Sequence, residues 1–199
     1  MNVCRIKSYA KINLALNVTG KLTLLHKIES IVSFIDLHDL IFIKNTNKKN
    51  HQISFYGKFS QNISSNNTVR KLFVILEEKK LLKDKKFQIK IKKNIPQKAG
   101  LGGGSMNAAS ILNFLIKKKF INISQKKIKY ISNLIGSDVI LGLNSTNIVL
   151  SSNNIIRNFS KCPKFHTLLI RPDFGCSTKK IYLGVKKFTK SKFNNPRKF

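Results

Sequence analysis

The chain has 199 residues, 42% of them hydrophobic, which is enough to bury a core in one domain or in two closely joined parts. Its 38 Lys and Arg residues against 8 Asp and Glu give a formal net charge of +30, but the cations are spread along the chain and are mostly lysines among many Asn and Ile residues. A nucleic-acid-binding module is therefore the weaker hypothesis, because the sequence shows no clustered stripe of aromatic and basic residues, although non-specific attraction to polyanions at low salt is expected.

The cysteines and the hydropathy pattern exclude several other classes. Cys4, Cys162 and Cys176 are too few and too far apart to indicate a disulfide framework or a zinc site. No apolar run has the length of a membrane span, and the N-terminus lacks the core of a signal peptide. We expect a soluble, cytoplasmic protein.

Alternating residues predict strands in the first third of the chain. Residues 3–19 alternate with Ile12, Leu14, Leu16 and Val18 on a buried face, which leaves Lys11 and Asn13 on the open face. Residues 26–36 predict a second strand, and two further strands are expected between residues 40 and 59, around a polar loop. On this pattern alone, Lys11 and Asn13 are more often solvated than functional.

Residues 66–82 predict an amphipathic helix with Asn67 or Thr68 as its N-cap, and residues 87–92 predict a strand. A glycine-rich turn then precedes a second helix, which we expect to begin near Ser105 and to continue to Lys117. Glycines at a helix start let the backbone approach a ligand, and the exposed N–H groups there carry partial positive charge, so the segment predicts phosphate binding. The simpler alternative is a loop with Ser105 as N-cap.

This glycine segment matches neither of two common nucleotide motifs. No Gly-Lys-Ser/Thr closes it as in the P-loop, and no acidic residue follows about 20 positions later as in the dinucleotide fingerprint. Its phosphate hypothesis therefore rests on the glycines and the helix alone.

The remaining elements predict a mixed fold. We expect a helix over residues 124–135, strands over 147–151 and 167–171, a short helix over 178–185 and a frayed or unfinished tail from residue 186. Asp138, one of only 8 acidic residues, follows the helix that ends at Gly136, where a turn or N-cap role is the simpler interpretation. Strands and helices do not alternate strictly, which favours an α+β fold.

Six segments, taken in chain order, carry a resemblance to a known family: YAKINLALNVTG, LHKIES, NNTVRKL, PQKAGLGGGSMNAASIL, IGSDV and GCSTKKIY. Together they resemble the GHMP superfamily of small-molecule kinases, over residues 6–185. The resemblance implies a two-layer α+β fold with an ATP-binding N-terminal domain over residues 1–150 and the beginning of a C-terminal domain over 151–199. Family members are longer and carry a second glycine-rich motif in that domain, so the resemblance implies C-terminal truncation.

The resemblance also assigns roles to individual residues. The catalytic pair of the family corresponds to Lys11 and Asp138, with the aspartate as base for the substrate hydroxyl and the lysine keeping it ionised and stabilising the developing charge. Substrate contacts correspond to Asn13, His26, Thr178 and Tyr182, with His26 at a cytosine and Tyr182 against its ring; Leu25 replaces a usual tyrosine, which implies weaker stacking. The ATP-binding positions correspond to Asn67, Pro96, Gln97, Lys98, Ala99, Gly100, Leu101, Gly102, Gly103, Gly104, Ser105 and Met106.

The activity that the resemblance implies is ATP- and Mg²⁺-dependent phosphorylation of the 2-hydroxyl of 4-diphosphocytidyl-2-C-methyl-D-erythritol, a step of non-mevalonate isoprenoid biosynthesis. The Mg²⁺ ligands stay open, although Ser105 could reach the ion. The alternatives are an inactive fragment that still binds nucleotide, or a GHMP kinase for another small alcohol. No specific nucleic acid and no membrane are expected as partners, and homodimerisation is left open.

Overall fold

The computed structural model describes residues 2–23, 26–143, 146–159, 166–172, 174–175 and 178–194. The chain divides into two compact units. Unit 1 consists of Met1–Ala10, Asp36–Gln97 and Gly102–Leu143, and unit 2 consists of Lys11–Ile35, Lys98–Leu101 and Asn144–Phe199. A domain boundary at residue 150 stays a prediction.

Strands and helices mix along the chain, as the α+β class requires. The elements are β1 (Cys4–Lys21), β2 (His26–Thr46), β3 (Gln52–Tyr56), α1 (Thr68–Glu78), β4 (Lys86–Lys92), α2 (Gly103–Lys117), α3 (Gln125–Ile135), a 3₁₀ helix (Ile140–Leu143), β5 (Asn147–Leu150), β6 (Ile156–Phe159) and α4 (Thr178–Leu183). The two long strands β1 and β2 pair with each other and contribute residues to both units.

The sheet of unit 1 is centred on β4. This strand pairs antiparallel with the second half of β2, where Ile41 faces Ile91 and Ile43 faces Ile89, and parallel with β3. Alternation along each strand sends every second residue to the same side. That side carries the buried isoleucines, which pack with the apolar faces of α1, α2 and α3 into one core.

Several boundaries in unit 1 differ from those predicted. β2 continues without interruption to Thr46, so residues 26–36 and the predicted strand after Leu40 form one element. α1 spans only Thr68–Glu78, capped by Asn67 as predicted. In α3, Ser124 is the N-cap and Ile135 is buried, whereas Leu134 is 39% exposed.

Unit 2 contains the remaining parts of β1 and β2 together with β5 and β6. β5 pairs antiparallel with β2, Ile31 opposite Val149, and also with β6, which was not predicted. The predicted buried face of β1 was wrong: Leu14 is 43% exposed, whereas Lys11, assigned to the open face, is buried. The strand predicted over residues 167–171 was also wrong, because the described residues 166–172 adopt no regular structure.

Residues 191–193, in the predicted frayed tail, are held by hydrogen bonds. Glu29, fully buried on β2, accepts hydrogen bonds from Asn17 Nδ2 at 2.9 Å, Ser191 Oγ at 2.7 Å, the Lys192 N–H at 2.8 Å and the Phe193 N–H at 3.0 Å. A carboxylate can accept several hydrogen bonds, and a buried one requires them. The hydrogen bonds of Glu29 therefore anchor residues 191–193 to β1 and β2, although the sequence from residue 186 onward is mostly polar and basic.

Glu29 makes the anchoring of this segment dependent on pH. Burial raises the pKa of the Glu29 carboxyl, but hydrogen bonds from Asn17, Phe193, Ser191 and Lys192 outweigh burial and hold the pKa below its ordinary value of 4.5. Because the folded-state pKa is the lower one, the stabilisation is complete above about pH 4.5 and is lost as the pH falls through the folded-state pKa.

We expect Glu29→Gln to lower the protection of the Lys192 and Phe193 amides against hydrogen exchange at neutral pH by at least about tenfold, since a hydrogen bond to a charged group contributes about 1.5–3 kcal/mol. The protection factors are measured by NMR and corrected for intrinsic rates. In the parent chain they should decrease as the pH is lowered below about 4.5, and in the variant they should change less. The exposed carboxyl of Asp36 provides a matched control through Asp36→Asn. Unchanged protection in Glu29→Gln would contradict the prediction.

No helix in the described part of the chain is long and apolar enough to cross a membrane.

Candidate active site

The glycine-rich turn leads into α2 earlier than expected. α2 begins at Gly103, not near Ser105, so Ser105 lies within the first turn and is not the N-cap. The N-cap is Gly102, in the left-handed conformation with φ of 67°, and no side chain caps the helix. The first turn of α2 therefore presents N–H groups without a side-chain acceptor, which is the arrangement that binds anions.

Two glycines of this first turn are closely packed against neighbouring residues. A Cβ atom at Gly103 would lie 2.9 Å from Ile95 Cγ2, and Ile95 is fully buried. A Cβ atom at Gly104 would lie 3.1 Å from Thr68 Oγ1, the hydroxyl that donates a 2.6 Å hydrogen bond to the Gly104 carbonyl. The expectation that the helix begins near Ser105, after these glycines, was therefore wrong, because both glycines belong to α2, where they pack closely.

A buried carboxylate holds the segment just before the glycines. Asp39 Oδ1 accepts the N–H groups of Asn94 at 2.7 Å and Ile95 at 2.9 Å. Its Oδ2 pairs with the buried Lys93 ammonium and accepts Asn107 Nδ2, from α2, at 3.0 Å. Asp39 therefore joins β2, the segment that leads to Pro96, and α2, and it fixes the position of the helix start.

Sequence reasoning missed Asp39, Lys93 and Asn107. The only available signal was the rarity of acidic residues, which was used for Asp138 but not for Asp39. Nothing local links Asp39 to residues 54 to 68 positions later. Gln97, in contrast, was placed in the ATP segment, and its Nε2 donates to the carbonyls of Phe59 at 3.0 Å and Gln61 at 2.7 Å.

The turn that carries Asp138 lies beside the beginning of α2. A Cβ atom built on Gly136 would be 3.9 Å from Ser105 Oγ, and the 3₁₀ helix that follows packs on α2, where Gly142 abuts Met106 and Ala109. Asp138 is half-buried, and its carbonyl accepts the Leu141 N–H at 3.2 Å. Unit 1 thus brings the Asp138 turn and the α2 N-terminus together.

Asn67, predicted near the adenosine, has a structural role on the same side of unit 1. Its Oδ1 accepts the N–H groups of Val69 and Arg70, both at 3.1 Å, and its Nδ2 donates to the Ser64 carbonyl at 2.9 Å. These bonds begin α1, whose first residue, Thr68, contacts Gly104. Asn67 therefore supports the glycine turn through α1, and a contact with ATP stays a prediction.

Unit 2 holds the other predicted catalytic residue. Lys11 is 7% exposed, and its Nζ donates a 2.7 Å hydrogen bond to Asn13 Oδ1. Asn13 Nδ2 in turn donates to Ser30 Oγ at 2.7 Å, which fixes the amide orientation. A buried ammonium with an ordered partner is a positioned charge and not a solvated surface lysine.

The middle of the glycine loop, residues 98–101, is counted with unit 2. The Leu101 carbonyl accepts the Lys11 N–H at 3.1 Å, so the loop is hydrogen-bonded to the strand that carries Lys11. Lys98 and Gly100 both have positive φ, 53° and 72°. A Cβ atom at Gly100 would meet nothing within 4 Å, so this glycine is explained by its backbone conformation and not by crowding.

The predicted substrate residues of unit 2 form an aromatic pair. The rings of His26 and Tyr182, from β2 and α4, stack at a centroid distance of 5.3 Å with 20° between their planes. Phe188 lies next to His26 at 6.5 Å. Thr178 is the first residue of α4, and Leu25 lies outside the described residues.

The comparisons with known proteins identify the family of this chain. The family model for the GHMP kinases N terminal domain matches residues 67–152. The chain is 60% identical over 197 residues, 99% of its length, to a protein from Pelagibacter ubique named 4-diphosphocytidyl-2-C-methyl-D-erythritol kinase, and it spans 70% of that relative. This chain belongs to the 4-diphosphocytidyl-2-C-methyl-D-erythritol kinase family, within the GHMP kinases.

More distant comparisons support the same family and fold. A kinase of the same name from Clostridium perfringens is 34% identical over 91% of this chain, which spans 63% of that relative. A crystal structure of 4-(cytidine 5'-diphospho)-2C-methyl-D-erythritol kinase matches with a TM-score of 0.61 at 21% identity, covering 79% of this chain and 55% of that one. A homoserine kinase from Cytophaga hutchinsonii gives 0.61 at 14% identity, over 95% of this chain and 62% of that one. These two structures show the shared fold.

Proposed function

We propose that this chain transfers the terminal phosphoryl group of ATP to the 2-hydroxyl of 4-diphosphocytidyl-2-C-methyl-D-erythritol. The observation that carries the proposal is the uncapped N-terminus of α2, preceded by Gly100 and Gly102 with positive φ, in a member of this kinase family. Its free N–H groups fit a phosphate, because they are fixed donors at the positive end of a helix dipole. Glycines at 103 and 104 let the first turn of α2 pack closely against Ile95 and Thr68, which holds these N–H groups in place.

Asp138 is proposed to orient the acceptor hydroxyl and to accept its proton. Two features support this role: its turn lies beside the α2 N-terminus, and it corresponds to the aspartate of the family motif. Phosphoryl transfer needs mainly positioning and neutralisation of charge, and a carboxylate near the phosphate site provides the positioning.

Lys11 is proposed to stabilise the charge that develops during transfer. Its ammonium is buried on β1 and held by Asn13, so its position is set before substrate binds. A preorganised cation lowers the barrier more than one that must be ordered during the reaction.

His26 and Tyr182 are proposed to bind the cytosine of the substrate. A cytosine offers a hydrogen-bonding edge and a flat face, which an imidazole and a phenol ring complement. The two rings stack directly on each other at a centroid distance of 5.3 Å, so both rings offer a flat face on the same part of unit 2.

ATP supplies the phosphoryl group, and Mg²⁺ is proposed to accompany it. The described residues contain no group of three or more His, Cys, Asp or Glu side chains that could hold a metal ion.

The test is ADP formation by the purified 199-residue chain with ATP and Mg²⁺, with and without 4-diphosphocytidyl-2-C-methyl-D-erythritol. Substrate-dependent ADP formation is the expected result. ATP binding without turnover would favour the alternative of an inactive chain that still binds nucleotide. That alternative is considered because this chain spans 63% of its clostridial relative. Turnover with homoserine, galactose or mevalonate but not with the cytidyl substrate would contradict the proposed specificity.

A further inference from the structure

The second face of the unit 1 sheet is open and carries a basic and aromatic surface. Because alternate residues of a strand point to opposite sides, the residues between the buried isoleucines of β2 and β4 lie together on the face away from the helices. An open cavity of about 310 Å³ lies on this face. It is lined by Val3, Phe42, Lys44, Tyr56, Gln88 and Lys90.

The pairing of the strands brings these residues into rows. Phe42 on β2 lies opposite Lys90 on β4, which lies opposite Ser54 on β3. In the next row, Lys92 on β4 lies between Leu40 and Tyr56. Tyr56 is 44% exposed, so its ring is available to a ligand. In sequence these aromatic and basic residues are up to 50 positions apart, which is why no stripe was visible there.

The open face is positively charged without compensation. Besides Lys86, which pairs with Glu77, five cations lie on the segments 2–10, 40–46, 52–56 and 86–92, which contain no acidic residue: Arg5, Lys7, Lys44, Lys90 and Lys92. None of the five takes part in an ion pair in the part of the chain that the structure describes. Repulsion between two positively charged faces disfavours a second copy of the chain as the occupant. The positive charge of the open face favours a polyanion.

The amide and hydroxyl groups on this face add hydrogen-bonding capacity. Gln88 on β4 lies opposite Gln52 on β3, and its Nε2 donates a 3.1 Å hydrogen bond to Gln52 Oε1. Amides can bind the edges of bases, whereas lysines bind phosphates and exposed aromatic rings stack on bases. A duplex would offer phosphates to this face but no exposed base face to Tyr56.

We propose that the open face of the unit 1 sheet, formed by β3, β4, β2 and the start of β1, binds single-stranded nucleic acid. Lys44, Lys90 and Lys92 contact backbone phosphates, and Tyr56 and Phe42 stack on bases. This site is separate from the α2 N-terminus, since it lies on the opposite face of the sheet from the helices. The proposal does not depend on the kinase activity.

The test is fluorescence anisotropy of a labelled 12-nucleotide oligouridylate with the full 199-residue chain at several salt concentrations. Tyr56→Ala should weaken binding about five- to hundredfold at every salt concentration, which corresponds to the loss of one base stack. The double variant Lys90→Gln/Lys92→Gln should weaken binding and reduce the salt dependence, because each phosphate contact contributes about 0.7 to the slope for single strands.

The matched control is Lys71→Gln/Lys129→Gln, which removes the same charge from exposed positions on α1 and α3. We expect this control to change affinity much less than the sheet variant. Equal weakening by the two double variants, or no effect of Tyr56→Ala, would overturn the proposal and leave only attraction between a basic protein and a polyanion. Equally effective competition by a duplex or by heparin would do the same, and circular dichroism checks that each variant is folded.

Discussion

Replacing Asp39 with asparagine is expected to destabilise unit 1 by about 3–5 kcal/mol, the cost of leaving one member of a buried ion pair without its partner. Asp39 is fully buried, and Lys93, its partner, is almost fully buried. Asparagine keeps an oxygen that can accept the Asn94 and Ile95 N–H groups, so the loss is mainly electrostatic. Urea unfolding followed by circular dichroism should show a lower midpoint.

A second variant separates charge from packing at Asp39. In the Asp39→Asn background, Lys93→Met removes the unpaired ammonium, and we expect it to restore part of the lost stability. Asp36→Asn removes an exposed carboxylate and should change the midpoint little. If Asp39→Asn is as stable as the parent chain, Asp39 does not hold the glycine segment as described.

Asp138→Asn is expected to lower the rate of substrate-dependent ADP formation by about 10²–10⁴-fold, which is the usual contribution of a positioned general base. Asparagine has nearly the same shape, so the turn beside α2 and the binding of ATP should be retained. The rate is measured by a coupled ADP assay, and ATP affinity is measured by calorimetry on the same preparation.

The matched control for Asp138→Asn is Asp84→Asn, which removes an exposed carboxylate from the same unit. Its rate should equal that of the parent chain. If Asp138→Asn retains the full rate, removal of the proton from the acceptor hydroxyl does not require this carboxylate. The assignment of Asp138 as base would then be wrong.

Local sequence signals predicted the elements that depend on local physics. The helix α1 with Asn67, one of its two candidate caps, the strand β4 and the helix α3 follow from side-chain hydrogen bonds and apolar periodicity within a few residues. The family motif also located the glycine turn. The predicted start of α2 was wrong because the low helix propensity of glycine suggested that the helix begins after the glycines. Close packing against Ile95 and Thr68 overrides that propensity at Gly103 and Gly104.

Features that depend on distant residues could not be predicted from the sequence. Lys11 was assigned to a solvated face because alternation distinguishes two faces of a strand but does not say which one is buried. Asp39 and Glu29 looked like ordinary polar residues, yet Lys93 lies 54 positions from Asp39, and Phe193 lies 164 positions from Glu29. The roles of Lys11, Asp138, Asn13, His26, Thr178 and Tyr182 stay predictions.

The hydrogen bonds between Glu29 and residues 191–193 have a consequence for the order in which the chain folds. The Thr189 N–H also bonds to the Val18 carbonyl, so two segments about 170 positions apart are joined. During synthesis, β1 and β2 can pair early, but these bonds cannot form until residue 193 has left the ribosome. Closing so long a loop is entropically costly, so unit 2 is expected to be completed last.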